Sequence, residues 1–450
     1  MRAEALRRSN SSDGAPNRSS VGPPTGVARL LSGVGADDGT RTLEAHLDRW
    51  GRLPEWRGAT FIDELETSGL RGHGGAWFPV GVKWRDIRGS RLRAPVVVAN
   101  GAEGEPASGK DRLLIEHVPH LVLDGAVVAA RALGASRVVV HVPARSVRTV
   151  TRAIESRQQY ALDPVGFDVV VAPDRFLAGQ ESAVVSTVNG RNPGIPTFTG
   201  LRTIRERGVD GRPTLVQNIE TLAHVALIAR FGAGWFRSVG THDSPGTALV
   251  TVTGRWSEPR VIEAPLGVTL GQILGVEPGE ARSFQGVLFG GYGGGWVATA
   301  DALAMPFTEE AARLHGTSIG AGVVALLPTG TCPLSEVSRV VTYLEGQGAG
   351  QCGPCVNGLA LLATAMDQLA FRPRSLHGGL SAIPTLCGLV EGRGACRHPD
   401  GVARFTRSAL QVFRDHANSH IQRGICQSSA PPFLPLPPGR RSRLTTPRAR

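Results

Sequence analysis

Apolar residues along this chain recur with two different spacings, and the spacing changes with position. Near the start Leu43, Leu47 and Trp50 repeat at helical intervals, and Phe61 and Leu65 place a second short helix over Thr60–Thr67. After a glycine-rich stretch the pattern becomes short valine-rich runs: PVVVA at Pro95–Ala99, RVVVHV at Arg137–Val142 and FDVVVA at Phe167–Ala172. Each predicts a buried strand. Helical patterns lie between and after them, at Leu121–Leu133, Ser146–Gln158 and Pro213–Phe231, the last entered through a Pro-Thr turn. Strands alternating with helices predict a parallel sheet in an α/β domain.

The pattern changes again near Gly246. Thr247–Gly254 and Arg260–Pro265 predict strands, and Val268–Leu274 a short helix. Phe284–Gly295 predicts a strand running into FGGYGGG, and Gly322–Leu327 a further strand. This is the signature of a small β-rich module. From Leu334 to about Arg414 the chain reads as helices broken by loops, and it carries four of the six cysteines. Residues 1–41, rich in Ser, Gly, Pro and Arg, and the Pro/Arg stretch 427–450 read as disordered tails. The expected divisions are therefore 42–240, 241–330 and 331–426 between the tails.

Length supports that division, since 450 residues exceed one ordinary domain. The formal charge of +11 changes the picture less than it suggests. Residues 1–20 and 427–450 supply +7 of it, so the body is near neutral. No basic-and-aromatic stripe points to nucleic acid. No apolar run approaches the roughly 18–20 residues that span a bilayer. Six unevenly placed cysteines do not read as a secreted disulfide scaffold. A cytoplasmic protein, or one peripheral to a membrane complex, is expected. Positive charge is written almost wholly as Arg: Lys83 and Lys110 are the two lysines.

Four segments carry candidate chemistry. Ser68–Trp84 reads SGLRGHGGAWFPVGVKW; its glycines, including Gly72, Gly74 and Gly75, allow a tight loop that offers N–H groups to an anion, with Arg71 and Lys83 adding charge. Asn100–Arg112, NGAEGEPASGKDR, follows a predicted strand, where α/β folds bind ligands. Its Asn100, Glu103, Glu105 and Asp111 can accept hydrogen bonds from ribose hydroxyls or flavin N–H groups. Phe176–Ser182, FLAGQES, offers Gln180 and Glu181. Pro213–Leu222, PTLVQNIETL, places Asn218 and Thr221 one helical turn apart. Taken singly, each segment also reads as an ordinary loop, cap or polar surface.

Together, and in this order, the four segments resemble the NADH- and FMN-binding flavoprotein subunit of respiratory complex I and its relatives in soluble hydrogenases and formate dehydrogenases. The resemblance runs from about Leu43 to about Arg414. It implies a Rossmann-like α/β domain for FMN, a ubiquitin-like β-grasp (SLBB) module at 241–330, and a C-terminal α-helical iron–sulfur bundle. It further implies that Gly72, Gly74, Gly75, Lys83, Asn100, Glu103, Asn218 and Thr221 hold FMN. Phe78 and Phe198 would stack on the adenine of NAD(H), and Glu105 and Glu181 would contact its ribose or nicotinamide. The implied chemistry is hydride transfer from NADH or NADPH to FMN, then single-electron release through a [4Fe–4S] cluster to a ferredoxin-like or other electron-transfer protein.

The chain departs from the family at functional positions. Trp77 stands where the family has Gly, so its ring would take the nicotinamide's place on the flavin. Ala102 replaces an Asp, Gln180 a Glu, His73 an Arg and Ile195 a Lys. Ala349 replaces the first cysteine of the family's CxxCxxC. Cys352, Cys355 and the distant Cys387 remain, and Cys396 is the expected replacement, giving a four-thiolate set; structural zinc is the alternative occupant, and His398 a further ligand candidate. Cys332 and Cys426 read as ordinary thiols. Two other functions stay open: an FMN/iron–sulfur protein fed by a non-nicotinamide donor such as ferredoxin, and a non-catalytic scaffold.

Overall fold

The computed structural model describes residues 28–32, 34, 41–56, 58–89, 93–196, 204–426, 428 and 430–438. Phe198 lies outside the described residues. The chain forms two compact units: Met1–Glu103, Lys110–Asp174 and Ala178–Thr247 make the first, and Gly104–Gly109, Arg175–Leu177 and Ala248–Arg450 the second.

In the first unit, helices α1 (Leu43–Trp50), α2 (Ala59–Ser68) and α3 (Val80–Gly89) precede strand β1 (Val96–Asn100). There follow α4 (Lys110–His117), α5 (Pro119–Leu133), β2 (Arg137–Pro143), α6 (Ala144–Gln159), β3 (Gly166–Ala172), α7 (Glu181–Val188), β4 (Thr214–Asn218) and α8 (Ile219–Phe236). The sheet has four strands in the order β3-β2-β1-β4, all parallel. Burial of Val96, Val97, Val98 and Ala99 on both faces explains the unbroken apolar run.

One expectation is corrected here. Pro213–Phe231 is not a single helix: Thr214–Asn218 pairs with β1, register Val98 with Val216, and the helix begins at Ile219. Strand β4 is buried on both faces like a core helix, so the alternation that would separate the two periods is missing. Asn218 is the residue where the strand ends, and its side chain caps α8 by accepting from Glu220 N.

The helices around this sheet are locked by a buried charge cluster. The Asp124 carboxylate on α5 accepts from His46 Nε2 at 2.8 Å, from Arg157 at 2.7 Å and from Arg230. These partners sit on α1, α6 and α8, so one carboxylate ties four helices. Burial would raise Asp124, but the two guanidinium groups hold it well below the usual carboxylate range.

The second unit contains β5 (Thr247–Thr253), β6 (Arg260–Pro265), α9 (Leu270–Leu274), β7 (Phe284–Phe289), β8 (Gly295–Val297), α10 (Thr299–Ala304), α11 (Glu309–Leu314) and β9 (Val323–Pro328). Its five-stranded sheet runs β6-β5-β9-β7-β8, with β5 parallel to β9 and β7 antiparallel to both β8 and β9. The expected strand Phe284–Gly295 is a hairpin instead. Gly290 and Gly291, at φ 89° and 82°, turn the chain back. A Cβ on Gly290 would lie 2.1 Å from Ser318 O, so the turn needs glycine for space as well as conformation. Helices α12 (Pro333–Gln347), α13 (Leu359–Phe371), α14 (Ala382–Val390), α15 (His398–Val412) and α16 (Arg414–Arg423) complete the unit.

Among the described residues no single helix is long and apolar enough to cross a membrane; one bent pair, Lys110–His117 with Pro119–Leu133, passes on length and composition. The latter helix is almost wholly buried in the α/β unit, which accounts for its hydropathy.

Candidate functional site

The polar groups of the first unit converge where β1 and β4 end. Asn100 and Asn218 are register partners at the C-terminal ends of adjacent parallel strands, the position at which open α/β sheets bind ligands. Asn100 Nδ2 donates to Gly179 O at 2.9 Å. Asn218 Nδ2 donates to Asp111 Oδ2 at 2.8 Å, while its Oδ1 accepts from Glu220 N at 3.0 Å.

Lys110 is the charge at the centre of this cluster. Its ammonium lies 2.7 Å from Asp111 Oδ1 and 2.8 Å from Glu220 Oε2, with all three side chains buried. Burial alone would lower Lys110, but the two carboxylates hold it above the ordinary lysine value. Lys83 sits on α3 and not in the loop; its Nζ pairs with Glu181 and donates to Val216 O at 2.7 Å. Both lysines therefore reach β4 or the helix that follows it.

The glycine loop lies against the same edge. Gly72 N donates to Phe78 O at 2.9 Å and Val80 N to Leu70 O at 3.0 Å, which closes the loop on itself. His73 N donates to Thr221 Oγ1 at 2.9 Å, so Thr221 anchors the loop. A Cβ on Gly74 would lie 3.2 Å from Asn218 Cβ, closer than side chains ordinarily pack. Trp77 (φ 50°) and Glu103 (φ 43°) hold left-handed backbone that non-glycine residues rarely adopt; such strain gathers at ligand sites. Glu103 spends both carboxylate oxygens on Asp111 N (2.8 Å) and Arg112 N (3.0 Å), capping α4.

Trp77 is buried, packed edge-on to His73 with ring centroids 4.8 Å apart, and its Nε1 has no hydrogen-bond partner. Phe78 is exposed, with the Arg205 guanidinium 5.1 Å from its ring centroid. Ala102 is buried in a small apolar cluster with Ala172 and Ala178. Glu105 belongs to the second unit, where its carboxylate accepts from Tyr292 N at 2.8 Å and Ala107 N at 3.2 Å. Burial pushes Glu105 up to about 7 despite those two donors.

Sequence reasoning missed Glu220 and the neighbouring His224. Glu220 stands two residues after Asn218, but its partner Lys110 is remote in sequence. His73 and His224 rings are 5.0 Å apart, and burial drops both pKa values to about 3. Both are neutral in the folded unit and would titrate near 6.5 in the unfolded chain. The folded form thus binds fewer protons, so stability is full above pH 6.5 and falls as pH drops toward 3. At pH 5 each such histidine withdraws about 2 kcal/mol. Thermal unfolding should therefore shift down between pH 8 and pH 5, and His224→Phe should flatten part of that slope. A flat wild-type profile would refute the assignment.

In the second unit, Cys352 and Cys355 flank the start of a π turn, Pro354–Gly358, that opens α13; such turns recur at functional sites. After burial, the largest influence raising the Cys355 thiol, to about 11, is Cys352, and Cys396 adds to it. Cys396 in turn feels Cys352. These three thiols share one neighbourhood. Cys387 is fully buried on α14, where burial raises its thiol and the nearby charges are Arg407 and Glu391. His398 Nε2 is 2.8 Å from Leu344 O, so that nitrogen is engaged by the backbone.

Comparison with known proteins gives two family matches. Residues 65–227 match the Nuo51 FMN-binding domain, and residues 335–420 match the NADH-ubiquinone oxidoreductase-F iron-sulfur binding region. The F 2 subunit of NADH-quinone oxidoreductase from Rhizobium meliloti (strain 1021) is 28% identical over 88% of this chain and 96% of that protein. The HndC subunit of the NADP-reducing hydrogenase from Solidesulfovibrio fructosivorans is 26% identical over 82% of this chain and 77% of that protein. The crystal structure of an NAD+-reducing [NiFe]-hydrogenase in the H2-reduced state superposes with a TM-score of 0.71 at 26% identity, over 81% of this chain. The chain spans 63% of the length of that hydrogenase chain.

Proposed function

The chain belongs to the family of NADH-binding FMN/iron–sulfur flavoproteins of respiratory complex I, and from that premise we propose that it is a flavin-dependent oxidoreductase that moves electrons from NAD(P)H through FMN and a [4Fe–4S] cluster to a protein acceptor. The observation that carries this reading is the convergence of Asn100, Asn218, Lys110 and the glycine loop on the C-terminal ends of β1 and β4. When bound, the flavin takes two electrons together and releases them singly, and the cluster carries them one at a time.

The residues at that edge fit a flavin nucleotide. Buried nitrogens lacking hydrogen-bond partners, Trp77 Nε1 and His141 Nε2, lie in the same unit as the loop. His141 faces Asn100 across the β1–β2 pair. Lys83, Asn100, Glu103, Asn218, Thr221 and the backbone at Gly72, Gly74 and Gly75 are proposed to hold FMN. Asn218 and Thr221 would do so by fixing α8 and the loop, since their own hydrogen bonds go there. Phe78, exposed and capped by Arg205, suits an adenine, with Phe198 as its proposed companion. Glu181, partly exposed and paired with Lys83, is the proposed contact to the rest of NAD(H).

The residues of the second unit fit an iron–sulfur cluster through their donor set. Cys352, Cys355 and Cys396 influence one another electrostatically, and Cys387 is proposed as the fourth thiolate. Segment 241–330 is proposed as an SLBB-like β-grasp module and 331–426 as the iron–sulfur bundle, with a cytoplasmic location and a ferredoxin-like partner.

Protein purified without oxygen should be yellow-brown, contain FMN and iron, and lose its flavin absorbance on adding NADH. An oxidised flavin that ignores both NADH and NADPH would defeat the nicotinamide part of the proposal. A second reading, a ferredoxin-type donor, rests on Trp77, whose buried indole stands in the loop that the family keeps open with glycine. Under that reading Trp77→Gly would raise the rate of flavin reduction by NADH tenfold or more, about 1.4 kcal/mol in the barrier. An unchanged or lower rate would dismiss it.

A further inference from the structure

Two cysteines outside the proposed cluster set do not behave as ordinary thiols. Cys332 Sγ lies 3.7 Å from His416 Nε2 and 3.8 Å from His420 Nε2. Cys426 Sγ completes the group, and all four ligand atoms lie within 4.8 Å of one another. We propose that Cys332, His416, His420 and Cys426 form a second metal site in the second unit, a tetrahedral Cys2His2 centre for a structural zinc ion.

The spacing fits that ion. Zn–S of about 2.3 Å and Zn–N of about 2.0–2.1 Å at tetrahedral angles require S···N edges of about 3.6 Å. The two observed edges lie within a few tenths of an ångström of that. The ligands come from three places in the chain: Cys332 from the N-cap of α12, His416 and His420 from one face of α16, and Cys426 from just beyond it. Residues four apart on a helix share a face, and their ring centroids are 5.0 Å apart. Three separate segments converging on one point with only soft nitrogen and sulfur ligands match zinc and not a hard cation.

The second layer of contacts is also in place. His420 Nδ1 lies 3.3 Å from Leu369 O, so this nitrogen carries the proton and donates. Cys426 N donates to His420 Nε2 at 3.2 Å, which requires a lone pair on Nε2. The Nδ1 contact sets the tautomer that can ligate, as second-layer carbonyls do for zinc-bound histidine, and a bound ion would take the Nε2 lone pair in place of the Cys426 N–H. Ser335 N donates to Cys332 Sγ at 3.4 Å from the first turn of α12; burial raises the free thiol, so the charge of the bound ion would be what drives its proton off. Binding would release the two thiol protons, so affinity should fall as pH drops.

The position of the site gives its purpose. Beyond Cys426 the chain runs back over the bundle: Ser428 Oγ donates to Gly330 O at 2.9 Å, and Leu434 is buried with its N–H donating to Glu336 at 2.8 Å. A metal at Cys426 would pin the root of this strap to the starts of α12 and α16.

The test is metal analysis of the full chain, purified under reducing conditions and incubated with zinc, then freed of loosely held ion by gel filtration. One zinc per chain is expected in addition to iron. Cys426→Ser and His416→Ala, both at partly exposed positions, should lose zinc and keep iron, whereas Cys355→Ser should lose iron and keep zinc. Added cobalt should give the absorption of a tetrahedral thiolate-bound ion in the wild type, and lose it in Cys332→Ser. Absence of zinc from reduced, folded wild type would overturn the proposal, as would zinc that disappears with Cys355→Ser. So would peptide mapping that finds a Cys332–Cys426 disulfide in protein unable to take up zinc. Loss of the flavin alone, with zinc and its variants behaving as stated, bears on the oxidoreductase reading and not on this site.

Discussion

Lys110→Met is expected to strip the α/β unit of flavin and to lower its unfolding free energy by about 3–5 kcal/mol, the range for removing one partner of a buried ion pair. The side chain is 5% exposed, and its two carboxylate neighbours, Asp111 and Glu220, are 6% and 1% exposed. Methionine fills the same space but leaves two buried carboxylates facing each other without a cation. One of them must then take up a proton or the strand end must open to water. Either outcome disturbs Asn218, which is bonded to both Asp111 and the Glu220 backbone. Denaturant unfolding with flavin quantification is the measurement. Pairing Lys110→Met with Glu220→Gln should recover part of the stability, because it removes one of the stranded charges. A single variant with the wild-type midpoint and a full complement of flavin would rule out this account of the site. Lys83→Met is the contrast: its partner Glu181 is 44% exposed on the side chain, so stability should change by about 1 kcal/mol or less.

Gly125→Val is expected to prevent the α/β unit from folding, and Gly125→Ala to destabilise it by about 3 kcal/mol, at the upper end for overpacking. A Cβ at this position would lie 1.8 Å from Leu222 O and 2.4 Å from Leu222 C. Both are backbone atoms of α8, so no rotamer change relieves the clash; α5 and α8 must separate. Leu222 lies one turn beyond Asn218, so separation also pulls the N-terminus of α8 away from the strand ends. Gly234→Ala in the same α8 is the control, since a Cβ there meets nothing within 4 Å; helix propensity alone makes it neutral or slightly stabilising. Soluble expression and circular dichroism on the three variants decide the point. Equal stability of Gly125→Ala and wild type would show that the two helices are not packed this closely.

Some elements follow from local residue patterns alone. The valine runs at Val96–Asn100, Arg137–Pro143 and Gly166–Ala172 determine strands because β-branched, uninterrupted apolar segments are local properties. The glycine loop and both lysines could be singled out as candidates because composition and local spacing are visible in the chain, whereas the set Cys352, Cys355, Cys387 and Cys396 was expected from a family resemblance. Tertiary structure decided the rest. Strand β4 is a strand because β1 offers it an edge; its residues read equally well as helix when both faces are buried. Glu220 became a site residue only by meeting Lys110 from across the fold. Cys332 gained meaning only when α12 and α16 brought it to two histidines and Cys426, 84 to 94 positions further on. Local spacing fixes which groups a segment can present, whereas pairing over long separations depends on packing that no window of the sequence contains.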